Sequence, residues 1–236
     1  MYYHDNSSEK KNTAPFSRRD FLKSLAAGGG AFFLAGNMKL LGFQLSPDGK
    51  LKAVVVDYSK CTGCRTCEMV CSAVNHKTMI NGKAVWGTGN PALSNIKVQN
   101  FNPDVDVPVV CALCPDAPCV EACPVEPDKE GRKALYKHPK TGAVTHNSDR
   151  CIACGSCIET CSEQRTACIG TDKNGMPTGI CNLCDGDPEC VKNCPFDALQ
   201  YVEVDTGRDW FGWSADKIAE QLTRKWYTLE AKGGAR

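Results

Sequence analysis

Thiols that recur every third residue can share a metal centre that no lone side chain could hold. Four segments of this chain do this. Cys61, Cys64, Cys67 and Cys71 are separated by two, two and three residues. Cys111, Cys114, Cys119 and Cys123 are separated by two, four and three, with Pro124 following. Cys151, Cys154, Cys157 and Cys161 repeat the first spacing. Cys181, Cys184, Cys190 and Cys194 are separated by two, five and three, with Pro195 following. These runs take 16 of the 17 cysteines and leave Cys168 over, and no cysteine lies before Cys61 or after Cys194.

The spacing has a chemical reason. Three thiolates two residues apart on a loop can wrap three corners of a four-iron, four-sulfur cube. Gly63 and Gly155 let such a loop turn its backbone N–H groups toward the sulfurs. The fourth cysteine is expected to open a helix leading away from that cube, so that it reaches a second cluster held mainly by another run. Proline after Cys123 and Cys194 fixes the chain direction there, whereas Ser72 and Ser162 take that place in the other two runs. Zinc sites use two separated CxxC pairs rather than triply spaced runs. Disulfides need partners on distant segments, which neighbouring CxxCxxC thiols do not provide. Iron–sulfur ligation is the reading that uses every run, and Cys168 reads as a spectator thiol.

The elements that must carry these runs are small. Lys52–Asp57 and Leu199–Val204 are β-rich stretches flanking the first and last runs, and an antiparallel pair between them would close one module. Residues 134–138 and 143–146 flank a Pro-Lys-Thr-Gly turn between the middle runs and would close a second. The segment from Ser72 to Val110, with Trp86-Gly-Thr-Gly-Asn-Pro91 inside it, is long for a two-cluster ferredoxin and serves docking or packing. After Asp205 comes the aromatic stretch Trp210-Phe-Gly-Trp213. Ser214 then reads as an N-cap, Asp216 suits the first turn, and Ile218, Leu222, Trp226 and Leu229 form one apolar stripe. That helix packs on its own domain or reaches onto a partner.

With these residues on the page, the segment from 52 to 204 resembles the four-cluster ferredoxin-like electron-transfer subunits of molybdenum and tungsten pterin oxidoreductases, the iron–sulfur subunits of the dimethyl-sulfoxide reductase type. The resemblance implies an α+β fold of two nested bacterial-ferredoxin-like modules, built from β-hairpins and short helices, with a C-terminal helix. It implies four [4Fe–4S] clusters. Cys61, Cys64 and Cys67 would share one with Cys194, and Cys71 would join Cys181, Cys184 and Cys190. Cys111, Cys114 and Cys119 would share one with Cys161, and Cys123 would join Cys151, Cys154 and Cys157. It implies a non-catalytic subunit carrying single electrons between a pterin catalytic subunit and a membrane anchor subunit or other redox partner. The alternative is a free-standing periplasmic polyferredoxin shuttle. Lys60, Arg65, Arg150, Arg165 and Lys192 stand beside ligands, where a cation would raise the potential of a centre carrying about −2.

The N-terminus reads as an address. Residues 17–23 are SRRDFLK, and an apolar stretch follows from Leu25 to Gly36. The run resembles a twin-arginine export signal, which implies passage through the twin-arginine machinery to the periplasm in the folded, cofactor-loaded state. It is too short to span a bilayer. Lys39 interrupts the region where an A-x-A cleavage site would lie, so part of the mature protein is expected to keep its N-terminus. The expected organisation is therefore a signal segment, 1–42, a four-cluster domain, 43–206, and an aromatic linker with helix, 207–236.

Other function classes lack support. The net charge is +1. The first 42 residues hold six of the 28 basic and three of the 27 acidic residues, so the remainder carries −2 and offers no electrostatic case for nucleic acid. No GxGxxG or GxxxxGK[ST] motif occurs, which leaves nucleotide and flavin binding unsupported. His4, His76, His138 and His146 fall in no ligand or triad spacing.

Overall fold

The computed structural model describes residues 51–227. The SRRDFLK segment and Leu229 lie outside the described residues. Within them, ten short strands form five separate two-stranded antiparallel sheets, interleaved with short helices. In chain order these are β1 (Lys52–Val56), α1 (Thr66–Asn75), β2 (Thr78–Ile80), β3 (Lys83–Val85), β4 (Lys97–Phe101), β5 (Val105–Val109) and α2 (Pro118–Glu121). There follow β6 (Leu135–Lys137), β7 (Val144–His146), α3 (Ser156–Gln164), β8 (Gly170–Thr171), β9 (Pro177–Thr178), α4 (Glu189–Lys192), β10 (Leu199–Glu203) and α5 (Ala215–Tyr227). This is the mixture of small strands and helices seen in ferredoxin-like iron–sulfur domains.

Two pairings enclose the cysteine runs. β1 pairs with β10 from Lys52↔Glu203 to Val56↔Leu199, joining the flanks of the first and last runs. The Ala53-Val-Val-Val56 stretch drives it: β-branched residues suit a pleated surface, and Ala53 and Val54 are buried. β6 pairs with β7 between the middle runs, Leu135↔His146 to Lys137↔Val144.

The helices begin earlier than the spacing suggests. α1 starts at Thr66 and α3 at Ser156, each just before the third cysteine of its run, so that Cys67 and Cys71, and likewise Cys157 and Cys161, lie on one helix. In the other two runs the short helix holds only the third cysteine, and Cys123 and Cys194 lie beyond its end. The cause is local. Arg65 (φ 59°) and Gly155 (φ 81°) take the left-handed conformation at the helix N-cap and turn the chain into the helix at once.

The segment between the first two runs divides in two. The β2–β3 hairpin is exposed along both strands. Gly87 and Gly89 let the following loop lie against α1, since a Cβ on Gly87 would stand 2.0 Å from the His76 carbonyl oxygen. The rest forms the β4–β5 hairpin, whose Val105, Val107 and Val109 meet Ala215, Ile218, Ala219 and Leu222 of α5 in a second small core. Glu68 ties this region to the first run: it is 2% exposed, and its Oε1 accepts the Val98 N–H at 2.6 Å. α5 therefore packs on its own chain. Ile218 and Leu222 are buried, worth about 2 kcal/mol each, while Trp226 is 40% exposed. Among the described residues, no helix is long and apolar enough to cross a membrane.

Candidate functional site

The sixteen run cysteines gather in four neighbourhoods. Cys61 lies within charge-sensing distance of Cys64 and Cys194, and Cys67 within that of Cys61 and Cys64. Cys190 stands close to Cys71 and Cys184, and Cys181 to Cys190 and Cys71. Cys111, Cys114, Cys119 and Cys161 line one cavity. Cys123, Cys151, Cys154 and Cys157 line another. Among the described residues, no three histidine, cysteine, aspartate or glutamate side chains converge tightly enough for a single metal ion. The thiols surround small volumes rather than points, and a four-sulfur donor set around a volume suits an iron–sulfur cube.

The loops share one device. The residue before the second cysteine of every run is left-handed: Gly63 (φ 67°), Leu113 (φ 51°), Ala153 (φ 53°) and Leu183 (φ 57°). Three of these carry a Cβ, for which this conformation costs roughly 1–2 kcal/mol. The turn aims the N–H of that residue at the first cysteine's sulfur. Ala153 N donates to Cys151 Sγ at 3.5 Å, and the N–H groups of Gly63, Leu113 and Leu183 do the same for Cys61, Cys111 and Cys181. Further donors come from outside the loops: Asn95 N to Cys71 Sγ and Ala198 N to Cys194 Sγ, both at 3.3 Å. Amide donors placed around sulfur stabilise anionic thiolate ligands, a fit to thiolates held on a metal centre.

The electrostatics point the same way. Burial pushes the thiols of Cys67, Cys119 and Cys190 up to about 12 and that of Cys114 up to about 11. Such thiols are neutral near pH 7 unless a positive core takes their charge. These four thiols therefore suit a cationic metal core that takes their charge.

Nearby cations are mostly engaged. Lys60 pairs with Asp57 at 3.8 Å, Arg150 with Asp128 at 3.6 Å, Arg165 with Asp116, and Lys192 with Glu189 at 3.0 Å and with Asp187. Each carboxylate cancels part of the field its cation would cast on a centre. Sequence reasoning missed two lysines that sit closer to the loops. Lys133 Nζ donates to the carbonyls of Glu121 (2.9 Å) and Cys123 (2.8 Å), and Lys137 Nζ to those of Cys114 (2.7 Å) and Pro115 (3.2 Å). Nothing in their spacing marks them, because they arrive from β6 and its approach rather than from a cysteine run. Of the histidines, His76 Nε2 meets the Leu93 carbonyl at 3.1 Å and His138 Nδ1 the Thr141 hydroxyl at 3.3 Å. Burial lowers the pKa of His146.

Residues 104–162 match the 4Fe-4S dicluster domain family, and residues 54–72 match the 4Fe-4S binding domain family. The polyferredoxin-like subunit of the aliphatic sulfonate oxidoreductase of Pyrococcus furiosus is 38% identical over 152 residues, which is 63% of this chain and 76% of that protein. The putative electron transport protein YsaA of Escherichia coli K12 is 30% identical over 155 residues, 64% of this chain and 90% of that protein. The protein NrfC of the same organism is 28% identical over 197 residues, 80% of this chain and 81% of that protein.

Proposed function

The chain belongs to the polyferredoxin-like 4Fe–4S electron-transport proteins, and from that premise we propose that it is a four-cluster electron-transfer subunit of an oxidoreductase complex. The observation that carries this is the chain of neighbourhoods. Cys67 of the first lies near Cys190 of the second, Cys181 of the second near Cys111 of the third, and Cys119 of the third near Cys157 of the fourth. We read these as a series of adjoining sites. Cys64 in the first and Cys154 in the fourth are exposed, so the first and the fourth reach the surface.

In this reading Cys61, Cys64, Cys67 and Cys194 hold one [4Fe–4S] cluster, and Cys71, Cys181, Cys184 and Cys190 the next. Cys111, Cys114, Cys119 and Cys161 hold the third, and Cys123, Cys151, Cys154 and Cys157 the fourth. Each bound cluster supplies the capacity to accept and return one electron. The protein holds the ligands and donates N–H groups to their sulfurs. The β1–β10 and β6–β7 pairings make an outer and an inner module, one nested in the other. The chain carries no substrate chemistry of its own; it links a catalytic subunit at one end to a second redox partner at the other.

The partner we propose is a molybdenum or tungsten pterin enzyme. Support comes from the resemblance of the cysteine arrangement to the iron–sulfur subunits of such enzymes, and from a relative named as a subunit of an oxidoreductase. Anaerobic co-purification from the native source tests it: the chain should travel with a larger subunit and with molybdenum or tungsten in proportion. A chain that elutes alone, as a monomer, would contradict this and favour the free-standing shuttle. We also propose export by the twin-arginine route on the strength of SRRDFLK. Changing Arg18 and Arg19 to Lys should leave loaded protein in the cytoplasm when no partner with its own signal is present; periplasmic protein in that variant would overturn the address.

A further inference from the structure

The seventeenth thiol is not apart from the others. Cys168 lies beyond α3, where the chain doubles back toward the third centre. Its Sγ is 4.0 Å from Cys161 Sγ, at hydrogen-bonding distance for sulfur. It lines the cavity that Cys111, Cys114, Cys119 and Cys161 line. The position is held firmly. The hairpin β8–β9 follows it, and Gly179, with φ 75°, packs so tightly that a Cβ there would stand 2.3 Å from the Cys168 carbonyl oxygen. Cys168 packs against both apolar cores, so it cannot swing away without opening one of them.

A second observation on the same short segment points into the same cavity. Arg165 lines it and donates to Cys114, and its Nε is buried with no partner among the protein's own atoms. Thr166 Oγ1 stands 4.0 Å from Cys161 Sγ. Residues 165–168 thus present three different donor groups to one set of ligand sulfurs. A hydrogen bond to a thiolate ligand draws electron density from it and favours the reduced, more negative cluster, which raises the reduction potential.

Building on the four-cluster reading, we infer that Cys168 is a positioning and tuning residue of the third centre, its S–H donating to the Cys161 thiolate and holding that centre's reduction potential up. It ligates no iron itself, because Cys111, Cys114, Cys119 and Cys161 already supply four sulfurs.

The test uses the full chain, purified anaerobically with its clusters, as wild type, Cys168→Ala, Cys168→Val and Cys168→Ser. Valine fills the sulfur's space without a donor, so it gives a reading if the alanine variant fails to accumulate. Iron is measured first. A wild type short of four full clusters defeats the four-cluster reading itself. With full iron in every variant, redox titration followed by electron paramagnetic resonance should show one of the midpoint potentials falling in the alanine and valine variants while the others hold. Cys168→Ser, which keeps a donor, should recover part of the fall. Unchanged potentials at full iron overturn the inference. So does loss of one cluster's iron in Cys168→Ala and Cys168→Val, which would make Cys168 a ligand.

Discussion

At the scale of single residues, the cysteine loops work through backbone turns as much as through sulfur. The residue before the second cysteine is left-handed in all four runs, and its amide faces the first cysteine's sulfur. Sequence made this visible only where the residue is glycine, as at Gly63. At Leu113, Ala153 and Leu183 the same conformation is forced on residues that give no sign of it, and the gain must come from the ligand sulfur each amide serves. Leu113 and Leu183 are also fully buried, so their side chains contribute packing that glycine would lose. Gly63→Ala should destabilise the loaded protein by roughly 1–2 kcal/mol, from the left-handed strain and from a Cβ placed 2.0 Å from the Asp106 carboxylate. Ala153→Gly should be neutral or stabilising by up to about 1 kcal/mol. Anaerobic denaturant titration of both variants checks the pair, and the opposite order would refute the strain account.

At the scale of elements, α1 and α3 are, in the proposed reading, the joints between neighbouring centres. Cys67 and Cys71 are four residues apart on α1 and Cys157 and Cys161 four apart on α3, so in that reading each helix gives one thiol to each of two adjoining sites. Spacing alone suggested that the helix opens at the fourth cysteine; the left-handed N-caps at Arg65 and Gly155 move the start forward. The outer strands were legible because Ala53-Val-Val-Val56 and Leu199–Glu203 are rich in strand-forming residues and flank the first and last runs. The β4–β5 hairpin was hidden inside what read as an insertion, and without it the partner of the C-terminal stripe could not be named. The stripe itself held at Ile218 and Leu222 and lapsed at Trp226, which is 40% exposed. The joint gives a prediction. Cys71→Ser should change the electronic spectrum in the same way as Cys184→Ser and unlike Cys64→Ser, because Cys71 stands with Cys184 and Cys190. A Cys71→Ser spectrum matching Cys64→Ser would contradict the crossing.

At the scale of the whole molecule, the proposed reading makes the four cysteine neighbourhoods a conductor, with the exposed Cys64 and Cys154 in its first and fourth members. Small paired strands suit this task. They leave the interior to sulfur ligands, and the largest core cluster counts many of the run cysteines among its own members. The four-fold repetition of cysteine runs was legible in the sequence, since ligand spacing is set by a cluster and not by the rest of the fold. The field around the centres was not. The carboxylates that pair with Lys60, Arg150, Arg165 and Lys192, and the ammonium groups of Lys133 and Lys137 on loop carbonyls, depend on which loops meet in three dimensions. The central claim is that all sixteen run cysteines hold iron at once. Iron and acid-labile sulfide, measured per chain on anaerobically purified protein, test it most directly. The account predicts about sixteen of each, four for every set of four ligands. Iron near eight, or zinc in stoichiometric amount, would contradict it.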